Sequence, residues 1–360
     1  MTDATQASAQ SYAPDPRNDR VEVYVNGAFF ARDKAMVPVF DSGFVLGDGV
    51  WEGMRLVKGT LLAVDEHMAR LYEGANSIQL DIGMDHHALV EEIWKTLRHN
   101  EMEDGVHIRL MISRGVKSTP NQDPRFIIGK ATIVIVAEYK QPNAALKARG
   151  LKLLTSTIRC STPDVFDLRL NSHSRLNFIQ ALIQAINMGA DEALMLDDRG
   201  FVASCNSTNF FIIRGEELWT STGATCFNGI TRSKVIKLWR DAGKTVREKD
   251  FTLAETYAAD EAFVTGTLGG ITPVCMIDGR TVGNGTPGPV TAQISDLYRA
   301  HIGEYVLRVD PFRPGLGQPP NRSRNASALS ARKSSSAMRK ASCGQSHHAR
   351  AIRRSAISGG

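Results

Sequence analysis

Arg109 stands in the run HIRLMISRG with apolar residues around it, a setting in which a guanidinium needs an anionic partner. A substrate carboxylate gripped by its planar fork would supply one, and so would an internal salt bridge. His107, two residues earlier, projects to the same side of a strand, so the two could line one wall of a cavity. Trp51 beside Glu52 offers an aromatic wall, or an ordinary core tryptophan. Arg70 in DEHMARL can hold two phosphate oxygens, with His67 one turn before it. Gly229, Ile230 and Thr231 in NGITR precede a helical pattern, where free amides and the helix start attract a phosphate. The same residues also read as a capped helix after a glycine turn. Thr267 in TGTLGGITP, together with GDG and NST, adds further small residues whose amides and hydroxyls can surround an anion.

The elements that must position these groups alternate between strand and helix. VEVYVNGAFF gives a strand over Val21–Val25 and a hairpin turn at Asn26-Gly27. LLAVDEHMARLYEGANSIQL is mainly helical, and a further helix is expected from His86 to Leu97. HIRLMISRG and ATIVIVAEY read as strands, the latter with Ile133, Ile135 and Ala137 on one face. LKLLTSTIR opens a second unit near Gly150. Leu176, Ile179, Ile183 and Ile186 then mark an amphipathic helix. EALMLD, NSTNFFIIR and ELWTS are short strands, and GITRSKVIKLWRDAG is a helix with a threonine cap, closing at Gly243. EAFVTG, ITPVCMIDG and a helix around 291–305 follow. The succession predicts a mixed α/β fold: a flexible arm over 1–18, a smaller domain over 19–149, a larger one over 150–312, and a tail over 313–360.

The formal charge of +5 divides unevenly. Residues 313–360 hold ten Lys and Arg and no acid, leaving 33 bases against 38 acids in residues 1–312. The tail, rich in Ser, Pro, Gly and Arg, reads as disordered; a solvated extension is the plain reading and nucleic-acid contact the other. The acidic remainder adds nothing to a nucleic-acid function. No apolar run reaches about 18 residues, so no membrane span is expected. Five widely spaced cysteines fit no metal pattern and point to a reducing cytoplasm.

In order and spacing, the segments YVNG, DSGFVLGDGVWEG, DEHMARLYEGA, GADEALMLDDRGFVA, STNFFI, NGITR and FVTGTLGGITPV resemble the class IV, fold-type-IV pyridoxal-phosphate aminotransferases. That group includes branched-chain and D-amino-acid aminotransferases and, as a chemically distinct relative, aminodeoxychorismate lyase. The resemblance runs from Val21 to Ala300. It implies a cofactor site at the interface of the two domains, a homodimer, and small or branched-chain α-amino and α-keto acids as substrates. It also implies Arg70, Ile230, Thr231 and Thr267 as phosphate contacts, and Arg109 as receiver of a substrate carboxylate. His107 stands in place of the more usual tyrosine, and Trp51 lines the substrate cavity.

Two positions depart from that pattern. The lysine that such enzymes join to the cofactor falls in a column occupied here by Arg169, Leu170 and Asn171, and the chain has no lysine between Lys152 and Lys234. Neither arginine nor asparagine can take its place. Ser204 replaces the glutamate that holds the pyridine nitrogen protonated, and only Glu192 or Asp191, brought to the ring by the fold, could compensate. The expectation is therefore an aminotransferase-like protein with pyridoxal phosphate held noncovalently. The alternatives are a binding relative without amino-group exchange, a lyase or racemase using His67, His107 or His173 as base, and recruitment of Lys152 or Lys234.

Overall fold

The computed structural model describes residues 8–308, which lie within one compact unit, Met1–Pro311. The basic tail, and with it the reading of nucleic-acid contact, lies outside the described residues. Two sheets organise the described chain. The first has six strands in the order Ala28–Ala31, Glu22–Val25, Thr132–Tyr139, Val106–Ser113, Gly49–Val57, Thr60–Leu61. The Asn26-Gly27 turn joins its edge hairpin with both residues at positive φ, +50° and +96°, as a two-residue hairpin turn requires. The second sheet has nine strands, all drawn from residues 151–281, and combines parallel and antiparallel pairs.

Alternation in Val106–Ser113 is regular. Val106, Ile108, Leu110 and Ile112 are buried in the first core, and His107 and Arg109 share the opposite face. Register places Trp51 opposite Met111 and Gly53 opposite Arg109, so Trp51 belongs to that face and Glu52 to the other. Helix Val64–Ser77 packs on the same sheet through His67, Met68, Leu71, Gly74 and Ala75, one face at helical spacing.

The structure differs from the sequence expectation in three places. Helix Leu176–Asn187 buries Phe178, Ala181 and Ala185, while Leu176, Ile179, Ile183 and Ile186 are 49–67% exposed. The small alanines let this helix approach the sheet closely, and the long apolar stripe is turned away from it, Ile179 reaching the cavity wall described below. Helix Ile230–Asp241 is capped by Gly229 with no side-chain bond, and Thr231 lies inside its first turn rather than at the cap. Finally, residues 8–18, expected as the end of a free arm, are tied to both sheets, Asn18 exchanging bonds with Tyr139 of the first. The Ala9 amide donates to Glu192 Oε1 at 2.8 Å, and Ala9 is buried.

Among the described residues no helix is long and apolar enough to cross a membrane, and no group of His, Cys, Asp and Glu is placed to hold a metal ion. Cys160, Cys205, Cys226 and Cys275 are buried free thiols.

Candidate active site

Between the two sheets lies a cavity of about 410 Å³. Its wall includes Trp51, His107 and Arg109 from the first sheet, Arg70 from the helix packed on it, and Ser204, Ile230, Thr231 and Thr267 from the second unit. All eight residues proposed from sequence as contacts thus face one space, of a size suited to a small ligand.

Its Arg70 end is assembled from buried ion pairing. Glu52, fully buried, accepts from Arg70 Nε at 2.8 Å and Nη2 at 2.7 Å, and from His67 Nδ1 at 2.7 Å. Burial alone would raise the Glu52 carboxyl, but the bonds from Arg70 and His67 outweigh it and hold it below its ordinary value. Arg70 Nη1 also donates to Asn228 O at 3.0 Å, and the guanidinium lies over the Phe227 ring at 4.3 Å. Of five N–H donors, two remain for a ligand. Beside them the first amides of helix Ile230–Asp241 have no side-chain cap. Gly229 is required there by close approach, since a Cβ would stand 2.3 Å from Asn209 Oδ1. Thr265 lines the same wall, and its hydroxyl is buried without a hydrogen-bond partner. An excess of donors with nothing to receive them fits a phosphate. A smaller cavity of about 40 Å³ shares Ile230, Thr231 and Thr267 with this end, so the turn is a partition reached from both sides.

The residues expected at the lysine column have partners within the protein. Arg169 is exposed and paired with Asp167, and Leu170 packs against the first core. Of the three, only Asn171 lines the cavity, and its Nδ2 donates to Trp51 O at 2.7 Å while its Oδ1 accepts from Arg175. The Trp51 amide donates to Asn171 O at 2.9 Å and the indole Nε1 to Ser172 O at 2.9 Å, so residues 171–172 lie antiparallel beside the strand that carries Trp51. Neither Lys152 nor Lys234 lines the large cavity. Lys152 is exposed, and Lys234 lines the small cavity with its amine on Glu66.

At Ser204 the compensation considered from sequence does not occur. Ser204 Oγ donates to Thr208 O at 2.7 Å. Glu192 lies behind the wall, accepting from Thr208 Oγ1 at 2.7 Å and from Ala9; burial pushes its carboxyl upward. Asp191 is bound to Arg149 and the Lys152 amide. Among the described residues no acidic side chain lines the cavity. The residues therefore fit the phosphate of pyridoxal phosphate, but supply no lysine from 169–171 and no carboxylate for the ring nitrogen; Lys140, the lysine on the wall, is paired with Glu138 at 2.6 Å.

The histidines separate as well. His67 is committed to Glu52, and His173 donates Nε2–H to Val50 O at 3.1 Å outside the cavity wall. Only His107 faces the cavity. Burial, with Lys140 and Arg109 nearby, pushes its pKa down to about 3, so it is neutral near pH 7 and a weak base.

Among the wall residues that sequence reading missed, three bear on the chemistry. Lys140 lies near Arg109, paired with Glu138 at 2.6 Å. Phe227 stacks on Arg70. Arg175 caps helix Leu176–Asn187 and turns back into the cavity; the one signal for it was an arginine four residues beyond Asn171. Burial, then the Arg109 and Arg70 charges, lower its pKa to about 10, which leaves it protonated near pH 7.

The chain is similar to known proteins. The family Amino-transferase class IV is matched over residues 49–277. Branched-chain-amino-acid aminotransferase-like protein 2 of Arabidopsis thaliana is 36% identical over 286 residues, covering 79% of this chain and 51% of the relative. D-alanine aminotransferase of Bacillus licheniformis is 31% identical over 289 residues, covering 78% and 97%. A solved branched-chain aminotransferase from the thermophilic archaeon Thermoproteus uzoniensis, with norvaline, superposes with a TM-score of 0.69 at 31% identity, covering 78% of this chain and 93% of that one. The chain spans about half the length of the two Arabidopsis relatives it matches.

Proposed function

The chain belongs to the class IV aminotransferase family, and on that premise we propose that it is an aminotransferase-like protein holding pyridoxal phosphate without a lysine link. Its substrates on this reading are small or branched-chain α-amino and α-keto acids. One observation carries the proposal: the donors at the Arg70 end are unspent, while Asn171, in the lysine column, has both ends of its amide committed. Arg70, the 230–231 turn and Thr267 hold the phosphate. Arg109 receives a carboxylate from the Trp51 wall, and neutral His107 accepts a hydrogen bond beside it. When bound, the cofactor supplies an electron sink and a carrier for the amino group. The domains over 19–149 and 150–312 form the two walls.

A second reading, ligand binding without amino-group exchange, is favoured by Asn171 and Ser204 together. The lyase or racemase reading is disfavoured because His107, the one histidine among the described residues on the wall, is a weak base. A homodimer is supported by the outward stripe on helix Leu176–Asn187, which a second copy would cover. Four buried free thiols support a reducing cytoplasm as its setting.

The test is a titration of the full chain with pyridoxal phosphate, then incubation with nitrogen-labelled leucine and a keto acid. Saturable uptake with label reaching the keto acid supports the first reading. Saturable uptake without transfer selects the second, and no uptake rejects both.

A further inference from the structure

Residues 8–12 cross from one wall of the cavity to the other. At the second sheet the Ala9 amide donates to Glu192 Oε1 at 2.8 Å, and Ala9 is buried in the core cluster that also holds Leu194, Cys205 and Val264. Beside the first sheet Tyr12 forms a bridge with Pro142, and Lys140 Nζ stands 4.5 Å from the Tyr12 ring centroid. Cys205 and Lys140 themselves line the cavity, so the segment joins its two sides.

The crossing has a fixed shape. The Ser8 amide donates to Ser11 Oγ at 2.8 Å, the Ser11 amide to Ser8 O at 2.8 Å and the Gln10 amide to Ser8 Oγ at 3.0 Å. These local bonds give the backbone its partners without a strand or helix. Two glycines lie against the turn, and neither has a positive φ. Close approach calls for them instead: a Cβ at Gly269 would stand 2.6 Å from Ala9 O, and one at Gly266 3.0 Å from Gln10 Nε2. Glu192, fully buried, takes its other bond from Thr208 Oγ1 at 2.7 Å. A buried acid group needs such partners, and without the segment Glu192 Oε1 loses its donor. One side chain of the turn enters the cavity. Gln10 lines it beside Gly266, Thr267 and Leu268, and its side-chain amide makes no hydrogen bond among the described residues. An unspent amide on a fixed turn can bond a ligand at little further cost in freedom.

We propose that residues 8–12 form a fixed roof over the cavity, latched by Glu192 and seated on Gly266 and Gly269, which presents Gln10 to the bound ligand and slows that ligand's escape. The roles of Gln10 and of slowed escape rest on the reading that this cavity takes pyridoxal phosphate; the roof itself does not. Glu192, which stands behind the wall and away from any cofactor ring, has in this latch its own task.

Two variants lift the roof: a chain lacking residues 1–12, and G269A, which keeps every other residue and sets a methyl group against Ala9 O. Each is compared with the unmodified full chain in two measurements. In the first, thiols are labelled with a small maleimide and read by peptide mass. Cys205 lies on the cavity wall and in the core cluster with Ala9, whereas Cys275 is off the wall and serves as the internal control. Labelling of Cys205 is expected to run at least about tenfold faster in both variants, with Cys275 unchanged. In the second, release of pyridoxal phosphate after dilution is followed by absorbance. Release is expected to be at least about tenfold faster in both variants. In Q10A, which loses one neutral hydrogen bond, it should be about threefold faster. Unchanged Cys205 labelling in the shortened chain overturns the roof, and where that chain fails to fold the same result in G269A does so. Faster labelling with unchanged release overturns the part played in holding the ligand. No uptake of pyridoxal phosphate by the unmodified chain rejects the cofactor reading, and the labelling comparison then decides the roof alone.

Discussion

At the Arg70 end of the cavity donors outnumber acceptors, whereas at the Asn171 end polar side chains already have protein partners. Thr265 has a buried hydroxyl with nothing to bond, and Arg70 keeps two N–H groups after Glu52 and Asn228 are served. Asn171 and Ser204, by contrast, are spent on Trp51, Arg175 and Thr208. The difference separates two tasks that one cofactor site normally joins. Holding an anion needs unspent donors on a rigid frame, and that frame is intact. Forming a covalent link needs one amine at one place, and Asn171, expected there from the sequence, is bonded into the wall instead.

The comparison can be broken most sharply by N171K. After loading with pyridoxal phosphate, borohydride should trap a covalent adduct on that variant, read by intact mass, and none on the unmodified chain. If N171K traps nothing, position 171 is not the lysine column. Next in size is R70Q, which removes the oriented fork and leaves Glu52 short of a partner. Pyridoxal phosphate affinity should fall by roughly a hundredfold, in keeping with the loss of one or two charge-assisted bonds. A loss below about threefold would assign the phosphate to the helix start alone. T265V sharpens the contrast from the other side. The variant should fold with equal or slightly higher stability, because it deletes an unsatisfied hydroxyl, yet bind the cofactor a few-fold more weakly.

A pH titration probes the same end. The Glu52 carboxyl is held below its ordinary value in the folded chain, so its pairing stabilises the fold above the unfolded carboxylate pKa of about 4.3 and is lost as pH falls through the lower folded value. Melting temperature and phosphate affinity should therefore decline together on acidification, and E52Q should flatten both profiles. Independently of the cavity, I183E should shift the sedimenting species toward the monomer if a second copy covers the outward stripe.

Much of this contrast was legible in the residues themselves. Arg109 and His107 share a face because strand periodicity is two, and Arg70 and the 230–231 turn carry anion chemistry in their types. Which of Arg169, Leu170 and Asn171 would face the cavity was not legible, since loop length before a helix is not encoded by period. Nor was the outward turn of Ile179 and Ile183, because two small alanines against a sheet outweighed a longer apolar stripe. Arg175 and Lys140 reach the wall from segments whose local pattern is polar and says nothing of direction. Glu192 could be named as a candidate, but only tertiary contact with Ala9 and Thr208 places it behind the wall.

The central claim, a phosphate cofactor held without a lysine link, is tested most directly by reducing the unmodified full chain with borohydride after saturation with pyridoxal phosphate and measuring its intact mass. The account predicts saturable uptake by absorbance and a protein mass unchanged after denaturation. A stable increment of one pyridoxyl phosphate group, mapped to any lysine, would contradict it.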